Sequence, residues 1–291
     1  MSDDPFVTHR SLLFTVAYEM LGSVGDAEDV VQETWLRWAG VEQAEVHDPR
    51  AYLVRTVTRQ ALNRLRTLTR RREDYVGEWL PEPLRTGPDV ADDVELAESV
   101  SIAMLTVLET LTPTERAVFV LREVFDTPYD EIAAAIQKSP AAVRQIARRA
   151  RVHVAARRPR MKVSAVEQQA AVERLRSAIQ TGDLQGLLDV LAPEVVAVAD
   201  GGGLVPALRR PVVGAHRVAR TLAGFPRVAP GARVGAMWLN GAPALRIDLD
   251  GELHAAISLV IEAGRITRIY AVANPHKLAR LGEAMQLSRT C

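Results

Sequence analysis

Cysteine is almost absent from the chain. The single one, Cys291, is the last residue, so no internal disulfide can form and a reducing compartment is expected. Long apolar runs are also missing. No stretch has the roughly 20 residues of a membrane span, and the N-terminus lacks the basic and apolar regions of a signal peptide. A cytoplasmic protein without a membrane partner is therefore expected. The six histidines (His9, His47, His153, His216, His254, His276) have no metal-ligand spacing, so neither metal nor other cofactor is expected. Net charge is zero, which taken alone argues against a nucleic-acid partner. The average misleads, because each sign of charge is confined to particular stretches. With 291 residues, 48% apolar and 25% charged, the chain suits two or three ordinary folded domains.

The densest signal spans residues 127–160. Thr127 is a predicted N-cap, with Pro128 at the first helical position and Asp130 three residues after the cap. Ile132, Ala133 and Ile136 form the apolar face of this first helix. Ser139 and Pro140 repeat the start signal. A second helix places Val143, Ile146, Ala147, Ala150 and Val154 on one face at a 3.6-residue period. Lys138 lies in the turn, and Arg144, Gln145, Arg148, Arg149 and Arg151 occupy the other faces. From Pro140 to Arg160 there are seven arginines and no acid. A short packed helix, a tight turn and a second helix rich in long donors predict a helix-turn-helix.

Residues 6–38 read as two helices broken at Gly22–Asp26. The second puts Ala27, Val30, Val31, Thr34, Trp35 and Trp38 on a predicted core side. Asp26, Glu28, Asp29, Gln32, Glu33 and Arg37 lie elsewhere on it, an acidic surface able to dock a basic partner. Asp48 and Pro49 start a further helix. Between Pro49 and Arg72 come eight arginines (50, 55, 59, 64, 66, 70, 71, 72) and no acid. Arg50, Arg55, Arg59, Asn63 and Arg66 make a polar stripe, with Tyr52 the only aromatic. Leu53, Val54, Val57, Ala61, Leu62 and Leu65 supply the core side. A phosphate backbone suits such a helix. A membrane surface fits less well, because the apolar residues are small and aromatics nearly absent.

Residues 73–98 reverse the sign, with nine acids against Arg85 alone. Pro81, Pro83, Gly87 and Pro88 exclude a long helix, so this is a linker. Trp79-Leu80-Pro81-Glu82-Pro83-Leu84 is too apolar for a spacer and is predicted to dock, on a neighbouring surface or locally on the first domain. Residues 99–126 are helical, with a capping box at Thr112-Pro113-Thr114-Glu115 and a core of Ala117, Val118, Val120, Leu121 and Val124. Beyond residue 165 the composition changes. A helix from Val166 to Thr181 and another from Leu184 to Leu191 precede strands, among them Val195–Ala199. Hairpins turn at Asn240-Gly241, Asp250-Gly251 and Ala263-Gly264. Helices followed by a meander predict a separate α+β domain.

These pieces together resemble the extracytoplasmic-function sigma factors of bacterial RNA polymerase. Residues 1–72 are similar to region two of that family. Gly25–Arg37 is similar to the helix that docks on the polymerase, which gives Asp26, Glu28, Asp29, Gln32, Glu33 and Arg37 that role. Asp48–Leu53 and the arginine helix are similar to the part that reads and opens the −10 element, implying Arg50, Tyr52, Arg55, Arg59, Asn63 and Arg66. Residues 99–160 resemble region four, whose helix-turn-helix reads the −35 element through Lys138, Ser139, Arg144, Gln145, Arg148, Arg149 and Arg151. Arg144 and Arg148 are the candidates for guanine and Gln145 for adenine, with Arg149 and Arg151 on phosphates.

Residues 164–291 resemble a SnoaL-like domain, an α+β cone of the nuclear transport factor two superfamily that one sigma subgroup carries fused at its C-terminus. Three motifs carry that likeness: Trp79-Leu80-Pro81-Glu82-Pro83-Leu84, Asp200-Gly201-Gly202-Gly203 and Asn274-Pro275-His276-Lys277-Leu278. The subgroup usually has aspartate at His276, so no acidic contact is expected there. The expected fold is thus multidomain, with two all-α sigma domains joined by the acidic linker and then the SnoaL-like domain. The resemblance implies core RNA polymerase (its beta and beta-prime subunits) and promoter DNA as partners. It also implies that the third domain tunes sigma activity in place of a separate anti-sigma protein, its loops meeting the sigma domains. The competing reading is a helix-turn-helix regulator fused to a small-molecule-binding or cyclase- or isomerase-like domain. An unknown small ligand fits such a domain. Asp248, Asp250, Glu252 and His254 cluster around a solvated hairpin and form no acid/base dyad with His216 or His276, so an enzyme is not expected.

Overall fold

The computed structural model describes residues 4–72, 74–158, 163–282 and 284–289; the side chains of Arg70, Arg71 and Arg72, and Glu73, Arg160 and Cys291, lie outside the described residues. The chain divides into two compact units. One contains residues 1–74, 104–158 and 286–291, and the other residues 75–103 and 159–285.

The first unit is helical. Asp4 caps α1 (Pro5–Leu21), which ends at Gly22 in the left-handed region. Ser23 then caps α2 (Val24–Ala39) through the Asp26 N–H, which is why the chain breaks and restarts within two residues. The α2 core is Ala27, Val30, Val31, Thr34 and Trp38. Trp35 is 44% exposed, contrary to the core position expected for it. It lies one residue, or about 100°, round the helix from the buried Thr34. Asp48 caps α3 (Pro49–Arg72) through the Ala51 N–H, and all six of its expected core residues are buried.

In the second unit α4 covers Val94–Val100, and α5 (Ile102–Leu108) follows at the boundary. Back in the first unit, the capping box of Thr112 and Glu115 opens α6 (Pro113–Phe119). The helix-turn-helix is α7 (Tyr129–Ile136) and α8 (Pro140–Ala155). Ser139 caps α8 as expected, and its five apolar residues are buried. The Thr127 cap is corrected. Pro128 occupies the cap position with extended backbone (φ −58, ψ 144), no side chain caps α7, and Thr127 itself is buried.

Arg116 holds this unit together. It is 1% exposed, donates from Nε to the Glu19 carbonyl at 2.9 Å, and pairs through Nη1 with Glu109. Burial pushes its guanidinium down to about 9, with the charge of Glu19 acting the other way. It thus links α6 to the buried last turn of α1.

The second unit is α+β. Helices α9 (Ala165–Thr181) and α10 (Leu184–Val190) lead into β1 (Leu191–Asp200) and β2 (Val212–Val213). Then come α11 (Ala215–Ala223), α12 (Phe225–Val228), β3 (Arg233–Leu239), β4 (Ala242–Leu249), β5 (Glu252–Glu262), β6 (Arg265–Val272) and α13 (Pro275–Leu278). The sheet order is β2-β1-β6-β5-β4-β3, antiparallel except for β1 with β6. The three expected hairpins join β3 to β6. Each turn has two residues at positive φ, as for Asn240 (51°) and Gly241 (75°), the backbone that matches the twist of paired strands.

Side chains alternate between two apolar faces. One face, with Leu245, Ile257, Leu259 and Ile269, packs on Ala171, Leu175 and Ile179 of α9 and Val218 of α11. The other, with Leu239, Ala256, Val260, Tyr270 and Val272, is covered by Leu80, Ile102, Ala103, Leu278 and Leu281. The stretch read as a linker is therefore one wall of this unit's core.

Replacing Arg116 with alanine should lower unfolding free energy by about 3–5 kcal/mol, because it leaves acidic partners without their cation in a buried site. Arg116→Met also removes the cation but fills the space, so it should recover only the part of the loss that comes from the cavity. Urea denaturation followed by circular dichroism measures both.

Candidate functional site

On α8 the sequence-predicted DNA contacts Arg144, Gln145, Arg148, Arg149 and Arg151 are all exposed, opposite the buried stripe. Arg144 and Arg148 have no ion pair among the described residues. Arg149 lies 3.8 Å from Glu115 and Arg151 3.6 Å from Glu123. Both arginines are largely solvated, so these pairs hold them weakly. Lys138 is exposed in the turn, whereas the Ser139 hydroxyl accepts the Ala142 N–H at 3.3 Å.

On α3, Arg50, Arg55, Arg59, Asn63 and Arg66 are exposed and Tyr52 is half-buried against Trp38, ring centroids 5.7 Å apart. The Arg55 guanidinium lies over the Tyr52 ring at 5.6 Å. Arg37, Tyr52, Arg55, Arg59, Gln60 and Asn63 line a cleft of about 440 Å³. Arg66 donates to the Asn63 side chain at 3.4 Å. Arg59 is the exception to the free stripe. It donates to the carbonyls of Ala134 (2.8 Å) and Ala135 (3.1 Å) at the end of α7, where carbonyls lack helical partners and the helix dipole is negative.

The acidic surface of α2 is also partly engaged. Arg64 binds Asp26 and Asp29, both at 2.7 Å, and Gln60 donates to Glu33 at 3.0 Å. Its bond to Asp26 holds the Arg64 guanidinium above its ordinary range. Glu28 is half-buried, while Gln32 and Arg37 are exposed. Beside them stand Trp35 and Leu36, 44% and 58% exposed. Sequence periodicity put Trp35 in the core and passed over Leu36.

In the second unit, the three motifs meet around Asp200, which has no solvent exposure. Its carboxylate accepts the Tyr75 hydroxyl (2.6 Å), the Gly202 N–H (3.0 Å), the Leu80 N–H (2.9 Å) and Lys277 Nζ (2.7 Å). Lys277 Nζ also donates to the Leu80 carbonyl and sits 4.2 Å from the Trp79 ring centroid and 5.1 Å from that of Tyr75, a cation held between aromatic faces. Burial, and next the Asp200 bond, raise the Tyr75 hydroxyl pKa. Asn274 donates to the Tyr75 oxygen at 2.8 Å and caps α13 through the His276 N–H.

Glycine is required here. A Cβ on Gly202 (φ 61) would lie 2.3 Å from the Asn274 amide nitrogen, and one on Gly203 (φ 72) 3.0 Å from Val76. Gly201, Pro81 and Leu278 are buried, and Pro275 is exposed. His276 is exposed and adds only its backbone, so the missing aspartate leaves the cluster intact.

A second tie lies at the β3–β4 turn. The Asn240 side chain accepts the Leu84 N–H (2.9 Å) and donates to the Val100 carbonyl (2.8 Å). The Asn240 N–H donates to the Leu84 carbonyl, and Thr86 donates to that of Trp238. Leu84–Thr86 thereby extends the edge of the sheet beyond β3. A cleft of about 750 Å³, lined by Arg85, Thr86, Trp238, Arg246, Leu253 and Leu278 among others, lies beside this extension. Tyr75 and Asn240 escaped sequence reasoning: the first flanks a motif, and the second was read only as a turn residue.

Replacing Lys277 with alanine leaves the Asp200 charge buried without its cation, at a cost of about 3 kcal/mol or more. Limited trypsin digestion should then cut after Arg85 faster than in the unaltered chain. An unchanged rate would show that the clasp does not retain this segment.

Comparison with known proteins follows the same division. Residues 6–71 match the model for Sigma-70 region 2 and residues 101–154 that for Sigma-70, region 4. The chain is 36% identical to the ECF RNA polymerase sigma factor SigJ of Mycobacterium tuberculosis, strain H37Rv, over 95% of this chain and 93% of the relative. It is 34% identical to the probable ECF RNA polymerase sigma factor SigI of the CDC 1551 strain, covering 93% and 92%. The crystal structure of M. tuberculosis SigJ superposes with a TM-score of 0.76 at 32% identity, covering 97% of this chain and 99% of that one.

Proposed function

The chain belongs to the extracytoplasmic-function sigma factors of RNA polymerase, and on that premise we propose how its surfaces divide the work of promoter-directed initiation. The −35 element is read by α8. Arg144 and Arg148 reach guanine edges and Gln145 adenine, while Lys138, Arg149 and Arg151 meet phosphates and Ser139 keeps the helix start in place. The observation that carries this is the two-sidedness of α8: five buried residues fix one face, and exposed donors stand on the other, Arg144 and Arg148 without an ion pair among the described residues.

At the −10 element, the cleft along α3 takes an unstacked base onto Tyr52, with Arg55 and Asn63 beside it and Arg50 and Arg66 on the backbone. Core polymerase, through its beta and beta-prime subunits, docks on α2. Asp26, Glu28, Asp29, Gln32, Glu33 and Arg37 supply the polar contacts, and Trp35 and Leu36 an apolar centre of the kind that anchors interfaces.

Both DNA contacts cannot be made from the closed first unit. The two elements are named about 25 base pairs apart, ~85 Å at 3.4 Å per base pair. A folded unit of this length is only roughly 40 Å across. So α3 and α8 separate on promoter binding, and Arg59 exchanges the Ala134 and Ala135 carbonyls for phosphate. The C-terminal unit tunes activity by holding residues 75–103, the chain segment that has to follow this separation. A small ligand in the cleft beside Arg85 and Thr86 would press on the same segment. Arg246 binds Asp248 at 2.5 Å, which ties up one carboxylate that an isomerase-like reading would use as a base.

Transcription by purified core polymerase with the full chain added tests this reading. Promoter-dependent transcripts are expected, and none would refute it. Arg144→Ala should lose about 1–3 kcal/mol of binding at one −35 position and spare the others. Equal weakening on every sequence would move Arg144 to the phosphate contacts.

A further inference from the structure

From Gly201 to Ile247 the chain has no aspartate or glutamate, where its average would place about six, and seven arginines. Arg246 is bound to Asp248. The other six, Arg209, Arg210, Arg217, Arg220, Arg227 and Arg233, are all exposed and have no ion pair among the described residues. The fold arranges them as a band. Arg209 and Arg210 lie just ahead of β2 at one edge of the sheet, separated from it by Pro211, and Arg233 opens β3 at the opposite edge. Between them run α11 and α12.

On α11, Val218 and Ala219 are buried, and Leu222 and Ala223 pack against the core formed with the sheet. His216, Arg217, Arg220 and Thr221 face outward. The neighbouring α10 and β1 carry the exposed acids Asp189 and Glu194, and neither pairs with the band. Six exposed arginines without an ion pair among the described residues, on a stretch that has no acid of its own, give this surface a positive field. An anionic polymer would supply the missing charge.

We propose that this band is a third DNA-binding surface, which holds the phosphate backbone of duplex DNA without reading its sequence. Guanidinium forks match phosphate oxygens two at a time. The apolar side of α11 is already committed to the core, and Val213 and Val228, exposed on β2 and α12, are single side chains, not the broad apolar face of a membrane-surface helix. Set on a folded sheet domain, the arginines suit a duplex, whose phosphates are held at fixed spacing, better than a flexible single strand. The proposal uses neither α3 nor α8. It adds non-specific contacts outside the two promoter elements, and a chain that failed it would still show the Arg144→Ala effect at −35.

The test is a titration of the full chain with a 40-base-pair duplex lacking promoter elements, followed by fluorescence anisotropy at several salt concentrations. A variant with Arg209→Ala, Arg210→Ala, Arg217→Ala and Arg220→Ala is compared with the unaltered chain. Each phosphate contact contributes about 0.9 to the slope of log affinity against log salt, so the variant's slope should be shallower by about two to four. Its affinity at 100 mM salt should be at least about tenfold lower, and a version with lysine at the four positions should keep most of the slope.

Arg217→Glu with Arg220→Glu, confined to the outer face of α11, serves as a second variant if the first melts early. Slope and affinity equal to those of the unaltered chain would overturn the proposal. So would preferential binding, lost in the variant, to single-stranded RNA of the same length or to vesicles containing one quarter phosphatidylglycerol.

Discussion

A carboxylate with no access to water organises the C-terminal half of this protein. Asp200 sits at the end of β1, and four donors converge on it: a tyrosine hydroxyl and a backbone N–H from the segment before α4, a glycine N–H from its own loop, and a lysine from α13. An isolated buried carboxylate is costly, and that cost falls only when all its donors are in place. The geometry therefore works in both directions. The sheet domain positions residues 75–80, and those residues complete the sheet domain. Asn240 repeats the arrangement at the other end of the segment, with Leu84 and Val100. Between the two ties, Leu80, Ile102 and Ala103 cover a sheet face that would otherwise expose Leu239, Val260 and Val272.

The helical half shows the same use of charge for closure. Arg64 binds two of the acids of α2, Arg59 binds the free carbonyls of α7, and Arg116 reaches the last turn of α1. Two of these arginines, Arg59 and Arg64, belong to the acid-free stretch of α3. A guanidinium on a helix-terminal carbonyl and one on a phosphate are alternatives of similar chemistry. The resting contacts are thus of a kind that DNA can replace. Arg116 differs, because it is buried and its partners are internal, so it opposes separation of the helices without competing for DNA.

Much of this was legible in the sequence. Helix starts at Pro49 and Pro140, the hairpins at Asn240-Gly241, Asp250-Gly251 and Ala263-Gly264, and the buried stripe of α8 follow from local rules about caps, positive φ and periodicity. Those rules act over a few residues, and where they failed, a neighbour decided. Trp35 looked like core because it lies beside Thr34 and Trp38 in sequence, yet the surface that α2 presents to α1 and α3 is narrower than the apolar stripe. Thr127 resembled a cap, but the extended backbone of Pro128 moves the helix start one residue on. The partners of Asp200 lie up to 125 residues away, so no spacing could reveal that three motifs form one cluster. Nor does composition tell which arginines are free. Arg59 and Arg55 occupy the same stripe, and only the fold hands one of them two carbonyls.

The central claim is that residues 75–86 are a built part of the C-terminal unit. Amide hydrogen exchange at Leu80 and Leu84 in the full chain tests it most directly. Both N–H groups are bonded to buried side chains, so they should exchange as slowly as the amides of β5 and β6. Exchange at the rate of an open loop, while β5 and β6 stay protected, would contradict the account.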